Sequence, residues 1–187
     1  MTGSLSTFKK YQGEWYIYKD MHDTFDLELN ESNYCLKLKL NLDSSCKSMI
    51  CFRLEDYKEY YFGDKRIGPK DCDLTVLEDN NVYQIEVKDI RHKAKDFDSA
   101  NNQINVCDNL LRSILWFIDP KDMCGLKNFN SEHIIIHLRQ KSRESLERGF
   151  KAKKTKNYKI VTVNMDRKQK SRECNFRKII KAAEHAS

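Results

Sequence analysis

The amino-acid sequence predicts an α/β (α+β) protein in which a central mixed β-sheet is flanked by helices. Short segments that are apolar, or that alternate between apolar and polar residues, recur along the chain at the length of β-strands. One much longer segment, 94–118, has the periodicity of a helix. Strands precede this helix and a strand–helix–strand pattern follows it, which is typical of a mixed sheet.

The first part of the chain contains one predicted helix and two predicted strands. Aromatic residues at spacings of three and four predict a helix over 6–18, with Ser6 or Thr7 as its N-cap. Leucines that alternate with polar residues predict a strand over 34–42, and 48–54 is a second strand candidate. The polar residues between the two strands favour an antiparallel hairpin.

A second hairpin is predicted in the middle of the chain. The apolar runs 73–77 and 82–87 are separated by four polar residues, which indicates two antiparallel strands joined by a turn. The aromatic segment 56–62 before them fits neither a helix nor a strand pattern clearly. The long helix 94–118 follows the hairpin, and Asp119–Pro120 ends it.

The last third of the chain is predicted to form two strands and two helices. The apolar runs 133–138 and 158–163 have the length of buried strands. A helix over 144–154 is expected between them, and the basic segment 172–185 is expected to be a second helix.

Positive charge is concentrated in a basic C-terminal region that begins at about residue 139. The whole chain has a net charge of +6, and few acidic residues interrupt this region. Such a surface favours a polyanion, because each neutralised phosphate releases counterions. We therefore expect nucleic acid as the partner, with DNA favoured over RNA. A solvated basic surface or tail is the alternative. The candidate nucleic-acid-binding residues are Lys141, Arg143, Arg148, Lys151, Lys153 and Lys154.

The cysteine pattern and the lack of long apolar runs predict an intracellular protein. The chain has 7 cysteines, an odd number with no CxxC pair, which is typical of free thiols in a reducing compartment such as the cytoplasm or nucleus. No apolar run approaches the roughly 20 residues of a membrane span, and no secretory signal is evident. We expect one domain over 1–187 that does not associate with a membrane.

The residues with the clearest chemical potential lie on the second predicted hairpin. Asp73 begins its first strand, and Glu86 and Lys88 lie near the end of the second. Residues two apart on a strand share a face, and the hairpin brings Asp73 close to Glu86. The two carboxylates and the Val87 carbonyl are hard oxygen ligands suited to Mg²⁺ or Mn²⁺. Lys88 would stabilise charge on a phosphoryl group. The alternative is an ordinary surface hairpin with a solvent-exposed Glu–Lys pair.

These residues resemble the motif of the PD-(D/E)xK nuclease superfamily. In that family an Asp, often after Pro, precedes one strand, and Glu or Asp, any residue and Lys lie on the next strand. Here residues 69–73, PKDCD, match the first half, and residues 86–88, EVK, match the second. Pro69 is not adjacent to Asp73, so Asp71 is an alternative ligand.

The resemblance implies a restriction-endonuclease-like core and magnesium-dependent hydrolysis of phosphodiester bonds in DNA or RNA by a metal-activated water. It also implies a Gln near the site on the following helix, which is Gln103 here. An acidic residue from an N-terminal helix is expected as well. Glu14 is the candidate, with Glu28 and Glu55 as alternatives. By analogy with nucleases that cut both strands, a homodimer is expected.

Two other functions are compatible with the sequence. A nucleic-acid-binding protein without catalytic activity would use the same basic surface. A subunit of a larger nucleoprotein complex would expose a large apolar patch and bind its partner through the C-terminal half.

Overall fold

The computed structural model shows an α+β protein with a central mixed sheet and flanking helices, which confirms the predicted fold class. The structure describes residues 16–20, 24–31, 34–41, 48–78, 81–89, 94–118, 130–141, 150–166 and 170–186.

The larger sheet has seven strands. In their order across the sheet these are β1 (Tyr16–Asp20), β4 (Ser48–Phe52), β5 (Leu74–Glu78), β6 (Asn81–Lys88), β7 (Asn130–Lys141), β9 (Lys159–Asp166) and β8 (Lys151–Lys154). Strands β6, β7 and β9 are parallel to one another, whereas the other neighbouring pairs are antiparallel. The sheet is therefore mixed.

A smaller sheet and three helices complete the described fold. The smaller sheet contains β2 (Thr24–Glu31), β3 (Tyr34–Asn41) and β10 (Ser171–Asn175), with β3 in the centre. The helices are α1 (Leu54–Phe62), α2 (Ala94–Ile118) and α3 (Phe176–Glu184).

The large sheet is covered on both faces by apolar packing. On one face, Ile85 belongs to a buried cluster with Leu36 of the smaller sheet and Phe176 of α3. On the other face, Val82 belongs to a second cluster with Ile104 of α2. A strand that is buried on both faces reads as a nearly continuous apolar run, which accounts for the sequence of β6.

Several predicted elements are confirmed. The alternating leucines form β3, and α2 has the predicted bounds. The middle hairpin is formed by β5 and β6. Its strands extend to Glu78 and Asn81, so the turn is shorter than predicted. The apolar run 133–138 lies within β7, and all of the run 158–163 except Tyr158 lies within β9.

The predicted hairpin between 34–42 and 48–54 is wrong. Strand β3 belongs to the smaller sheet, whereas β4 lies between β1 and β5 in the larger sheet. Both segments are strands, as expected, but sequence proximity did not determine which strands pair. The packing of the smaller sheet over one face of the larger one separates them.

Three predicted helices also need correction. Residues 16–18 belong to strand β1, because pairing with β4 satisfies their backbone, and residues 1–15 lie outside the described part. Of the predicted helix 144–154, Lys151–Lys154 is strand β8, paired with β9; residues 142–149 are not described. The predicted helix 172–185 begins only at Phe176, because the residues before it pair with β3 as β10.

A buried ion pair links α3 to the larger sheet. The guanidinium of Arg177 donates to both carboxylate oxygens of Glu78, at the end of β5. Glu78 is only 2% exposed. The Glu78 carboxylate therefore depends on Arg177 for compensation of its charge.

We expect Arg177→Met to lower the free energy of unfolding by about 3–5 kcal/mol, because it leaves the Glu78 carboxylate buried without a partner. Urea denaturation measures the change. Lys178→Met, at the exposed neighbouring position, is the matched control and should change stability by about 0.5 kcal/mol or less. Adding Glu78→Gln to Arg177→Met should restore most of the lost stability. Equal losses of stability in Arg177→Met and Lys178→Met would contradict the expectation.

Candidate active site

Asp73 and Glu86 lie opposite each other at the end of the β5–β6 hairpin. The register pairs Leu74 with Ile85. Asp73, which immediately precedes β5, therefore lies opposite Glu86, which follows Ile85 in β6. The backbone N–H of Asp73 donates to Glu86 Oε2 at 3.1 Å. The backbone N–H of Val87 donates to Asp73 Oδ2 at 2.7 Å. Each carboxylate is thus fixed by the backbone of the other strand.

Lys88 completes this group. Its ammonium forms an ion pair with Glu86 Oε1, as expected for residues two apart on one strand. The Glu86 side chain is fully buried, whereas that of Lys88 is 21% exposed. The alternative of a Glu–Lys pair on a solvent-exposed hairpin is therefore wrong. Asp73 is half-buried, so the group is partly accessible through Asp73 and Lys88.

Burial raises the pKa of both carboxylates, and the charge of Asp73 adds to the rise at Glu86. Burial, and then the charge of Asp73, raise the pKa of Glu86 to about 8, although Lys88 opposes the shift. Burial also raises the pKa of Asp73, and the hydrogen bond from Val87 offsets part of this rise. Burial by itself would lower the pKa of Lys88, but attraction to Glu86 outweighs it and the pKa is raised.

The loop before Asp73 is held by two helices. Lys58 of α1 donates to the Pro69 carbonyl at 2.9 Å and to Asp71 Oδ1 at 3.0 Å. Gln103 of α2 donates to the Asp71 carbonyl at 3.1 Å. Asp71 is thus paired with Lys58, and it is Asp73 that faces Glu86.

The structure places Gln103 beside the loop rather than among the carboxylates. Its contact to the Asp71 backbone restrains the segment that carries Asp73. A second contact from α2 acts on the same segment, since the Cys72 N–H donates to Cys107 Sγ at 2.7 Å. Cys107 is a buried residue on the apolar face of α2, as its spacing predicts, but its contact with this loop is not evident in the sequence. The role of Lys58 is not evident there either, and a lysine within an aromatic segment was the available signal for it.

A third acidic side chain acts on the site from the smaller sheet. The charge of Glu31, on β2, reinforces the effect of burial in raising the pKa of Asp73. The sequence pattern does not point to this residue. Of the acidic residues that the sequence suggests, Glu28 is ion-paired with Lys37 at 2.7 Å, Glu55 is exposed on α1, and Glu14 lies outside the described residues.

Asp73, Glu86 and the Val87 carbonyl are the groups that could hold a divalent cation. In a strand, the N–H and C=O of one residue face the same neighbouring strand, so the Val87 carbonyl lies on the side of Asp73. Within the described ranges, no group of three or more His, Cys, Asp or Glu side chains is arranged to hold a metal. A pair of carboxylates fits Mg²⁺, which commonly uses one or two together with water and phosphate oxygens.

The basic residues lie on several elements. Lys151, Lys153 and Lys154 are exposed on β8, at the far edge of the seven-stranded sheet from β1. Lys141 ends β7. Arg143 and Arg148 lie outside the described residues.

Comparisons with known proteins identify no relative. No family model, curated protein or solved structure matches the chain. In the part of the chain that the structure describes, no helix is long and apolar enough to cross a membrane. The described cysteines have free thiols, and they are Cys35, Cys51, Cys72, Cys107 and Cys174.

In metal-free buffer, we expect the free energy of unfolding to fall as pH rises from 4.5, the ordinary pKa of Glu86, to about 8, its pKa in the folded protein. In this window Glu86 binds a proton when folded but not when unfolded, so a rise in pH favours unfolding. Urea denaturation in EDTA measures the trend. Glu86→Gln has no such proton and should show a shallower fall, and identical slopes would indicate that Glu86 is ionised in the folded protein.

We also expect Lys58→Met to destabilise the protein by about 3–5 kcal/mol, because Asp71 then loses its buried partner. Thermal and urea denaturation measure this effect. Lys65→Met removes an exposed lysine from the following loop and serves as the control. Lys58→Met combined with Asp71→Asn should recover part of the loss. Equal stability of the two lysine variants would show that the buried ion pair does not hold the loop.

Proposed function

We propose that the protein is a metal-dependent nuclease of the PD-(D/E)xK type, which hydrolyses phosphodiester bonds of DNA or RNA. The observation that carries this proposal is the paired placement of Asp73 and Glu86 on neighbouring strands, with Lys88 ion-paired beside them. The mixed sheet and its flanking helices agree with the core that the sequence resemblance implies.

The electrostatics of the pair favour a cation ligand. The fully buried Glu86 carboxylate and the half-buried Asp73 carboxylate repel each other, and burial of charge is costly without compensation. Lys88 compensates only one of the two by direct contact. A divalent cation would neutralise both and lower the proton affinity that burial gives them. When bound, Mg²⁺ or Mn²⁺ would polarise a phosphoryl oxygen and activate water for attack.

The remaining residues would position the substrate and the ligands. Asp73, Glu86 and the Val87 carbonyl would hold the metal. The partly exposed Lys88 ammonium would face the phosphoryl group and stabilise the negative charge that develops on its oxygens. Gln103 would keep the loop before Asp73 in place through the Asp71 carbonyl. The exposed Lys151 and Lys153 of β8 would bind the phosphate backbone.

The other two functions remain as outcomes of the experiment below. A binding protein without catalysis would use the same basic residues. For a subunit of a nucleoprotein complex, the relevant feature is an exposed apolar cluster at the end of α1 and in the following loop, formed by Tyr60, Tyr61, Phe62 and Ile67. This cluster lies in the N-terminal half, whereas that hypothesis predicts a partner on the C-terminal half.

We expect the native protein to cleave at least one member of a labelled DNA and RNA panel with Mg²⁺ or Mn²⁺, and none with EDTA. Glu86→Gln removes a metal ligand and Lys88→Ala removes the charge beside the phosphoryl group. Each should reduce kcat by about 100-fold or more. Glu173→Gln and Lys178→Ala change exposed residues outside the site and are the controls.

Two results would contradict the proposal. Cleavage that persists in Glu86→Gln and Lys88→Ala would place catalysis elsewhere. If nothing is cut while the native protein and both variants bind the same nucleic acid with a steep salt dependence, the binding function replaces the nuclease. Calorimetric titration with Mn²⁺ provides an independent readout, because Glu86→Gln should weaken metal binding even where cleavage is absent.

A further inference from the structure

We propose that a nucleic-acid strand reaches the site along the α2 side of the seven-stranded sheet, where Lys151 and Lys153 of β8 hold its phosphates. This inference rests on the proposed function and deepens it. It states which basic residues contact the substrate and from which side of the sheet the substrate enters.

The strand register connects Lys88 to β8 through a row of polar residues. Lys88 lies beside His137 of β7, and His137 lies beside Thr162 of β9. Thr162 in turn lies beside Lys151 of β8. Residues at the same level of neighbouring strands point to the same face of a sheet. These four side chains therefore form a row at right angles to the strands, about 14 Å long from three strand spacings.

Packing shows which face carries this row. The ring of Phe97, in α2, makes an edge contact with the ring of His137 at a centroid distance of 5.9 Å. The next residues along the strands, such as Ile136 and Val161, point the other way into the core beneath the smaller sheet. The row thus lies on the α2 side, and this is also the face of Glu86 and Lys88.

Exposure increases along the row toward β8. His137 and Thr162 are half-buried, whereas Lys151 is exposed. Lys153 lies on the same face, beside Ile160 of β9, and it is also exposed. The exposed Arg139 lies one position further along β7 on this face. A polyanion on this side would therefore meet several cations on its way to Lys88.

The opposite face of β8 has a different environment. Ala152 packs against the core that contains α3. Lys154 follows Lys153 and points to the opposite face, where its neighbour Lys159 is ion-paired with Glu132 at 2.6 Å. This face is thus occupied by packing and by paired charges. The basic residues of one short strand are therefore not equivalent.

Edge-strand lysines also have a purely structural use, because charge discourages pairing with another chain. That role depends on charge at the edge and does not distinguish the two faces. Binding of a strand on the α2 side does distinguish them. A comparison of lysines on the same hairpin therefore separates the two explanations.

The test compares two double variants with equal loss of charge. Lys151→Ser with Lys153→Ser removes the cations of the α2 side. Lys154→Ser with Lys156→Ser removes two exposed lysines at the hairpin turn and is the control. Affinity for labelled single-stranded DNA, double-stranded DNA and RNA is measured by fluorescence anisotropy in EDTA over a range of salt concentrations, so that no cleavage interferes.

We expect the α2-side variant to lose about tenfold or more in affinity and to reduce the salt slope by about 1.4–1.8, which corresponds to two lost phosphate contacts. The control should lose less than about threefold, as for a general change of charge. Lys151→Arg with Lys153→Arg should retain binding. With metal present, the α2-side variant should raise KM more than it lowers kcat.

Equal weakening by both double variants, or no weakening by the α2-side variant, would overturn the inference. Self-association of that variant with unchanged affinity would assign the lysines to edge protection and would overturn it too. If the native protein binds nucleic acid but does not cleave it, the nuclease proposal is refuted. The comparison of the two double variants then still decides whether the strand binds on the α2 side. Absence of any binding by the native protein would refute both.

Discussion

The cross-strand pairing of Asp73 with Glu86 is the constraint on which the rest of the candidate site depends. Each carboxylate accepts a backbone N–H from the opposite strand, so the side chains replace ladder hydrogen bonds where the hairpin ends. The charge of Asp73 beside the fully buried Glu86 carboxylate is electrostatically unfavourable, and the pKa of Glu86, raised by burial and by this charge, reflects that cost. Lys88 offsets part of it from the same strand.

The surrounding fold keeps this unfavourable pair in place. The hairpin is buried on both faces, beneath α2 on one side and the smaller sheet on the other. The loop that enters β5 is tied to α1 by Lys58 and to α2 by Gln103. Because contacts from two helices fix the same loop, Asp73 has little freedom to move away from Glu86. This rigidity is what a site for a small divalent cation requires.

The basic region shows how a property of the sequence is redistributed by folding. In the sequence the Lys and Arg residues of this region form one continuous basic segment. In the fold they lie in several different environments. Arg177 forms a buried ion pair with Glu78, and Lys159 forms an ion pair with Glu132. Lys153 and Lys154 are neighbours in sequence but point to opposite faces of β8. The strand register therefore determines which of these charges share the face of Lys88, and net charge alone does not show this.

The sequence by itself determined what depends on local periodicity. It predicted α2, β3, the β5–β6 hairpin and the shared face of Glu86 and Lys88, because a spacing of two fixes that face in any strand. Only the tertiary structure decided the separation of β3 from β4, the strand conformation of residues 151–154, the Lys58–Asp71 pair and the approach of Glu31. These features depend on contacts between residues far apart in the chain, and local patterns do not specify which distant surfaces will bury one another.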